Sequence, residues 1–248
     1  MKPELPDNRV IVPISGNING DDAYVLINQL APYVWGFKLH PTTIMRMFSL
    51  EHVDIFQFCY GAGARVFVDL KGFDIPSEIA NMIRDLEAIG VVEIVTLHGL
   101  GASDMIEAAV DARKRIKIFP VTILTSMKKQ QLQQVMPGID RDDQIQRLAL
   151  VSCSCHADGT ISSPADLGLF DENPTAYGND HMIRCTPGVR PLDANVKGDD
   201  QDRVVTPAKA AEAGSDLIVV GRPILQAADP VAAAQAIQSE FWTVKQAA

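Results

Sequence analysis

The chain has 248 residues, 47% of them apolar and 21% charged, with a formal net charge of −9 and a pI near 5.0. The acidic balance excludes an extended nucleic-acid surface, which needs clustered Lys and Arg, so any basic site has to be local and sized for a small anion. No segment approaches about eighteen uninterrupted apolar residues, which excludes a membrane span, and the absence of a Gly/Ser-rich linker fits one large domain over residues 1–248.

Within that domain, residues 1–8 and 243–248 read as terminal extensions. Met1 to Asn8 lacks the basic start and apolar run of a signal peptide, so a cytoplasmic protein is expected. In chain order, Arg9 to Ile14 reads as a buried strand, broken by Ser15-Gly16-Asn17 before a helical pattern over Asp21 to Ala31. Tyr33 to Leu39 returns to strand character and carries Lys38 near its end, after which Pro41 opens a helical stretch. Val66 to Leu70 is the third strand, and Ile75 to Ile89 has helical spacing through Ile79, Met82, Ile83 and Leu86. Val91 to Leu97 is the fourth strand and Ile116 to Leu124 the fifth, with helical patterns from Ser103 and again up to about Val151.

The second half is more broken. A short sixth strand is expected near Gly159 to Ile161, a helix from Ser163-Pro164, a seventh strand over Met182 to Cys185 and a polar loop to Val205. A helix over Ala208 to Ala213, an eighth strand over Asp216 to Val220 and a closing helix over Pro230 to Trp242 complete the pattern. Eight short strands alternating with helices predict a single (β/α)8 TIM barrel of the α/β class; a doubly wound sheet is the alternative. The barrel reading gains from the polar residues at the predicted strand ends: Lys38, Asp69, Lys71, Thr96, His98, Ser126, Arg190 and Arg222 would share one mouth.

Two groups of residues could do chemistry there. In ARVFVDLKGFDIPS, residues 64–77, side chains two apart leave one face of a strand, so Asp69 and Lys71 project together and Asp74 follows in the next turn. Crowded acids and bases of this kind have shifted pKa values suited to proton transfer. A solvated strand end with a surface ion pair is the plainer alternative. In GSDLIVVGRPILQAA, residues 214–228, a strand ends in Gly221-Arg222, and Thr186-Pro187-Gly188 ends the strand before it; backbone N–H groups and a guanidinium at these two ends fit a phosphate. Tight turns with a surface Arg are the alternative.

The remaining candidates are weaker. Cys153-Ser154-Cys155-His156 invites a metal reading, but no second ligand pair stands at suitable spacing, so no metal is expected and ordinary helix-end residues are the simpler account. His98 reads either as support for the mouth or as a structural histidine, and His40, His52, His156 and His181 read as structural or exposed.

Six segments, DLKGFDIPSE, VTLHGLG, TILTS, CTPGVRP, VVTPAKAAEAGSDLIVVGRPI and the lone Lys38, stand in the order and spacing of orotidine 5′-phosphate decarboxylase, and the chain resembles that family from about residue 9 to 241. The resemblance implies a homodimeric (β/α)8 barrel that converts orotidine 5′-monophosphate to uridine 5′-monophosphate and CO2 without metal or organic cofactor. By position it implies a charge network of Lys38, Asp69, Lys71 and Asp74, with Lys71 as proton donor and Asp74 given to the neighbouring subunit. It further implies substrate contacts at Ser15, Ile75, Glu78, Thr96, Ser126, Pro187, Gly188, Arg190, Gly221 and Arg222, with Ser126 on the pyrimidine and Arg222 on the phosphate. The expected partners are a nucleotide and a second copy of the chain.

Three positions depart from the family pattern. Ser15 stands where an Asp usually touches the ribose, and Glu78 where a Thr does so from the partner subunit. The phosphate-capping Gln of the loop after PGVRP is missing, with Asn195 and Gln201 as candidate substitutes. Glu78 acting across the interface in place of the lost acid, or a substrate with a different sugar or base, would each account for these changes. The competing functions are a magnesium-dependent relative acting on sugar phosphates and a non-catalytic nucleotide-binding barrel.

Overall fold

Strand and helix alternate along the chain because its apolar spacing alternates between two and three to four residues, with caps at the changes. A computed structural model describes residues 5–15, 18–170, 182–192 and 205–247. The first half runs β1 (Val10–Ile14), α1 (Gly20–Leu30), β2 (Gly36–Leu39), α2 (Pro41–Leu50), α3 (Ile55–Gly61), β3 (Arg65–Gly72), α4 (Pro76–Ile89) and β4 (Val92–His98). The second runs α5 (Ala102–Ala112), β5 (Lys117–Val121), α6 (Lys129–Val135), α7 (Arg141–Ser154), β6 (Gly159–Ile161), a 3-10 turn (Pro164–Phe170), β7 (Ile183–Thr186), α8 (Pro207–Glu212), β8 (Leu217–Val219), α9 (Arg222–Leu225) and α10 (Pro230–Ala247).

The helix starts are written into the sequence. Asn19, Asp54, Asp140 and Thr206 each accept a backbone N–H of the following first turn, and Pro41 and Pro76 open α2 and α4, where the missing N–H costs nothing. Gly90, at φ +86°, ends α4 in the left-handed region that glycine enters without strain.

All strand pairings are parallel, each strand lies beside the next, and β8 pairs with β1, so the sheet closes into an eight-stranded barrel. Alternation along each strand makes two apolar layers. Ile11, Phe67, Ile94, Phe119, Ile183 and Leu217 fill the barrel interior. Val10, Val12, Val66, Val68, Val95 and Ile118 face outward and pack under the helices.

The expected barrel and all eight strands are present, with local differences. The stretch after Pro41 is two helices, because Asp54 caps a fresh start at α3. The helix expected from Ser163-Pro164 is a 3-10 segment. The fifth strand stops at Val121, and the last helix continues past Trp242. Among the described residues no helix is long and apolar enough to cross a membrane.

Candidate active site

Period-two alternation carries charge into the mouth. Phe67 is in the barrel interior, so Asp69, two residues on, points the same way from the C-terminal part of β3. There it meets Lys38 from β2: the two ammonium groups of Lys38 and Lys71 flank one carboxylate, Lys38 Nζ 2.6 Å from Asp69 Oδ2 and Lys71 Nζ 2.8 Å from Oδ1. Thr96, fully buried on β4, donates its hydroxyl to Asp69 Oδ1 at 3.0 Å. Both carboxylate oxygens are therefore satisfied, which a buried acid requires. Burial by itself pushes the Asp69 carboxyl up, but the adjoining ammonium groups of Lys38 and Lys71 outweigh it and hold the group well below the usual carboxylate range.

Lys71 reaches Asp69 by an irregular path. Its φ of +49° lies in the left-handed region that a lysine seldom enters, and the register of β3 against β4 shifts between Val68 and Gly72. The hydroxyl of Thr96 accepts the Lys71 N–H at 2.9 Å and so fixes the displaced backbone.

Two adjoining cavities open at this mouth. One, of about 190 Å³, is walled by Lys38, Asp69, Lys71, Thr125 and Ser126. The other, of about 330 Å³, is walled by Ser15, Lys38, His40, Gly188, Arg190, Gly221 and Arg222. Lys38, Pro187 and Val219 line both, so the charged cluster and the Gly-Arg end of β8 belong to one continuous depression. Gly221 lets β8 approach β1: a Cβ there would stand 3.0 Å from Pro13 Cγ. Gly188, at φ +80°, turns the chain after β7.

Most of the residues expected from the sequence meet here: Lys38, Asp69, Lys71, Thr96, Ser126, Ser15, Pro187, Gly188, Arg190, Gly221 and Arg222. Asp74, Ile75 and Glu78 do not; they are exposed outside the two cavities, Asp74 with its carboxylate accepting the Ile75 N–H at 2.7 Å. Phe73 and Ile75, on either side of Asp74, are 67% and 61% exposed, which gives this segment an apolar outward face. Asn195, Gln201 and His181 lie outside the described residues.

His98 lies beside the mouth, accepting the Leu100 N–H at 3.3 Å, with its ring against Phe73. Burial lowers its pKa, and the nearby Lys71 lowers it further. Cys155 is buried, with its thiol 3.8 Å from Glu107, and among the described residues no three His, Cys, Asp or Glu side chains group as metal ligands.

His40 was not expected in the site. It lines the larger cavity next to Lys38, although the same alternation that carries Lys38 inward also carries residue 40 inward. That alternation was the signal available in the sequence. Burial lowers the His40 pKa below its ordinary 6.5, and Lys71 and Lys38 lower it further against the pull of Asp69.

Comparison with known proteins gives the family. Residues 12–237 match the family described as orotidine 5′-phosphate decarboxylase / HUMPS. The chain is 40% identical over 219 residues to the orotidine 5′-phosphate decarboxylase of Geotalea daltonii, covering 86% of this chain and 87% of that one. It is 36% identical over 231 residues to that of Moorella thermoacetica, covering 89% and 87%. A crystal structure of orotidine 5′-phosphate decarboxylase from Lactobacillus acidophilus superposes with a TM-score of 0.76 at 31% identity, covering 94% of this chain and 99% of that one. Matched over nearly its whole length by the family model and by relatives of 36–40% identity, this chain belongs to the orotidine 5′-phosphate decarboxylase / HUMPS family.

Proposed function

We propose that the chain is a carbon–carbon lyase that converts orotidine 5′-monophosphate to uridine 5′-monophosphate and CO2 in pyrimidine biosynthesis. The observation that carries this reading is the pair of ammonium groups held on one buried carboxylate, beside a cavity with the Gly221-Arg222 strand end. In the reaction the bond from pyrimidine C6 to the carboxylate breaks, CO2 leaves, and the electron pair stays on C6. No neighbouring carbonyl takes up that pair, so a cation close to C6 has to stabilise it. Lys71 fills this role: its Nζ proton passes to C6, and the amine left behind regains a proton from water.

Asp69 acts by position. It holds Lys71 and Lys38 together, and it presents a negative charge where the substrate carboxylate lies, so departure of CO2 relieves the repulsion. At the other end of the depression, Arg222, Arg190 and the backbone near Gly188 and Gly221 hold the phosphate, with Ser126 on the base. Contacts made far from C6 use binding energy to bring the reacting carbon to Lys71. Asp74 completes the network from a second subunit, as its exposed place between Phe73 and Ile75 supports.

The test is direct: purified protein is mixed with orotidine 5′-monophosphate, and the loss of orotidylate absorbance is followed with and without EDTA. A fall in absorbance that EDTA does not touch supports decarboxylation by side-chain charges. An unchanged absorbance, while a control decarboxylase turns over, overturns the reading. A fall in absorbance that EDTA abolishes overturns the account by side-chain charges alone and points to a metal-dependent decarboxylation.

A further inference from the structure

A nucleotide that places its base at Lys71 and its phosphate at Arg222 has to lay its sugar along the wall common to the two cavities, which Lys38 forms. Two polar side chains other than charged ones flank Lys38 in the larger cavity, and strand register sets them side by side. β1 and β2 pair Pro13 with Lys38 and Ile14 with Leu39, so Ser15 and His40 are the next residues out on neighbouring strands. Both follow the inward positions of their strands by two, Pro13 to Ser15 and Lys38 to His40.

The imidazole is also oriented. Thr42 Oγ1 lies 3.3 Å from His40 Nδ1, within the first turn of α2, which leaves Nε2 as the nitrogen available to a ligand. We propose that His40 is a specificity-determining residue for the reaction, its Nε2 hydrogen-bonding a sugar hydroxyl of the bound nucleotide beside Ser15. This rests on the decarboxylase reading of the same site. Ser15 offers one hydroxyl at this wall, and an uncharged imidazole on the adjacent strand supplies the second hydrogen-bonding group that a pair of ribose hydroxyls needs. Burial and the neighbouring Lys71 and Lys38 keep that ring neutral at pH 7, so it adds no further positive charge beside Lys38.

The experiment is calorimetric titration of the parent, His40→Leu, His40→Ala and His40→Gln with UMP, 2′-deoxy-UMP and 3′-deoxy-UMP. The parent should prefer UMP over at least one deoxy analogue by about tenfold, as loss of one hydrogen bond predicts. His40→Leu, which keeps the volume but has no nitrogen, should bind UMP about tenfold more weakly and bind that analogue as well as UMP. His40→Gln, with an amide near the place of Nε2, should recover part of the preference. His40→Ala repeats the measurement should the leucine variant not fold.

A parental preference retained in the leucine or alanine variant overturns the inference, and so does an equal weakening for all three nucleotides, which marks a structural role. In both cases turnover of orotidine 5′-monophosphate by the parent leaves the decarboxylase reading standing. A parent that neither binds UMP nor turns over the substrate overturns that reading and this inference together.

Discussion

The hydroxyl of Thr96 accepts the backbone N–H of Lys71 at 2.9 Å, at the one residue of β3 with a positive φ, +49°. The same oxygen donates to Asp69, so a single buried group on β4 sets both the backbone of the proposed acid and the carboxylate that holds it. Thr96→Val keeps the shape and removes both bonds. We expect kcat to fall by about 10²-fold with KM for orotidine 5′-monophosphate little changed, because Lys71 is displaced and the phosphate contacts are not. A stability loss of about 1–3 kcal/mol should accompany it, since a buried N–H and a carboxylate oxygen each lose a partner. Steady-state kinetics and urea unfolding measure the two.

Asp74 lies outside the cavities of its own chain, and a mixing experiment asks whether it serves another. Lys71→Ala should lower kcat by about 10²–10⁴-fold, the usual worth of a positioned proton donor, and Asp74→Ala should also be impaired. Mixed and allowed to exchange subunits, the two variants should recover about a quarter of parental activity, because each mixed dimer rebuilds one complete site out of two. No recovery on mixing would place Asp74 in its own subunit's chemistry.

Asp69 makes acid stability a readout of the charge cluster. Its carboxyl sits below its ordinary 3.8 in the folded chain, so the folded state binds fewer protons there than the unfolded state. The sign follows: the contribution is complete above about pH 5 and is lost as pH falls through the unfolded value towards the folded one. Asp69→Asn should therefore differ most in stability from the parent at neutral pH, and the gap should narrow below about pH 4. Melting temperatures of both proteins from pH 7 to pH 3 test this, and a gap that widens with acid would contradict it.

Gly36 holds β2 against β3 at a distance no side chain tolerates. A Cβ there would stand 2.3 Å from the carbonyl oxygen of Arg65, which is backbone and cannot swing aside. Gly36→Ala should cost about 1–3 kcal/mol or more, and, because Lys38 lies two residues along the same strand, it should weaken turnover as well. Gly138→Ala, where a Cβ meets nothing within 4 Å, is the companion substitution: it tests the strain of φ +79° alone and should leave turnover unchanged.

The sequence disclosed the barrel because period-two and helical spacing alternate cleanly from Val10 to α5, and because Asp69 and Lys71 stand two apart after a run that ends in the barrel interior. It hid what depends on a second strand. The positive φ of Lys71 is imposed by the shifted register against β4 and by Thr96, twenty-five residues away, which no local pattern encodes. His40 was read as structural or exposed although it stands two residues beyond Lys38, a spacing that carries it inward; that it meets Ser15 there depends on the β1–β2 register, which no local pattern encodes. The restart at α3 was legible in principle, since Asp54 is a capping residue, but the apolar spacing on both sides blurred it.

The charged cluster comes from β2 and β3, near the start of the chain, and the turns proposed to hold the phosphate from β7 and β8, near its end. Where the two ends of the sheet meet, β1 and β8 pair Val10 with Ile218 and Ile11 with Val219, and the Ile218 N–H reaches the Arg9 carbonyl and the Val220 N–H that of Ile11, both at 3.0 Å. A nucleotide lying across both cavities would straddle this seam and act as a removable clasp on the closed ring. Opening there would separate anchor from chemistry while leaving Lys38, Asp69 and Lys71 together, so a ligand that spans the two cavities would favour the state in which the first and last strands are paired.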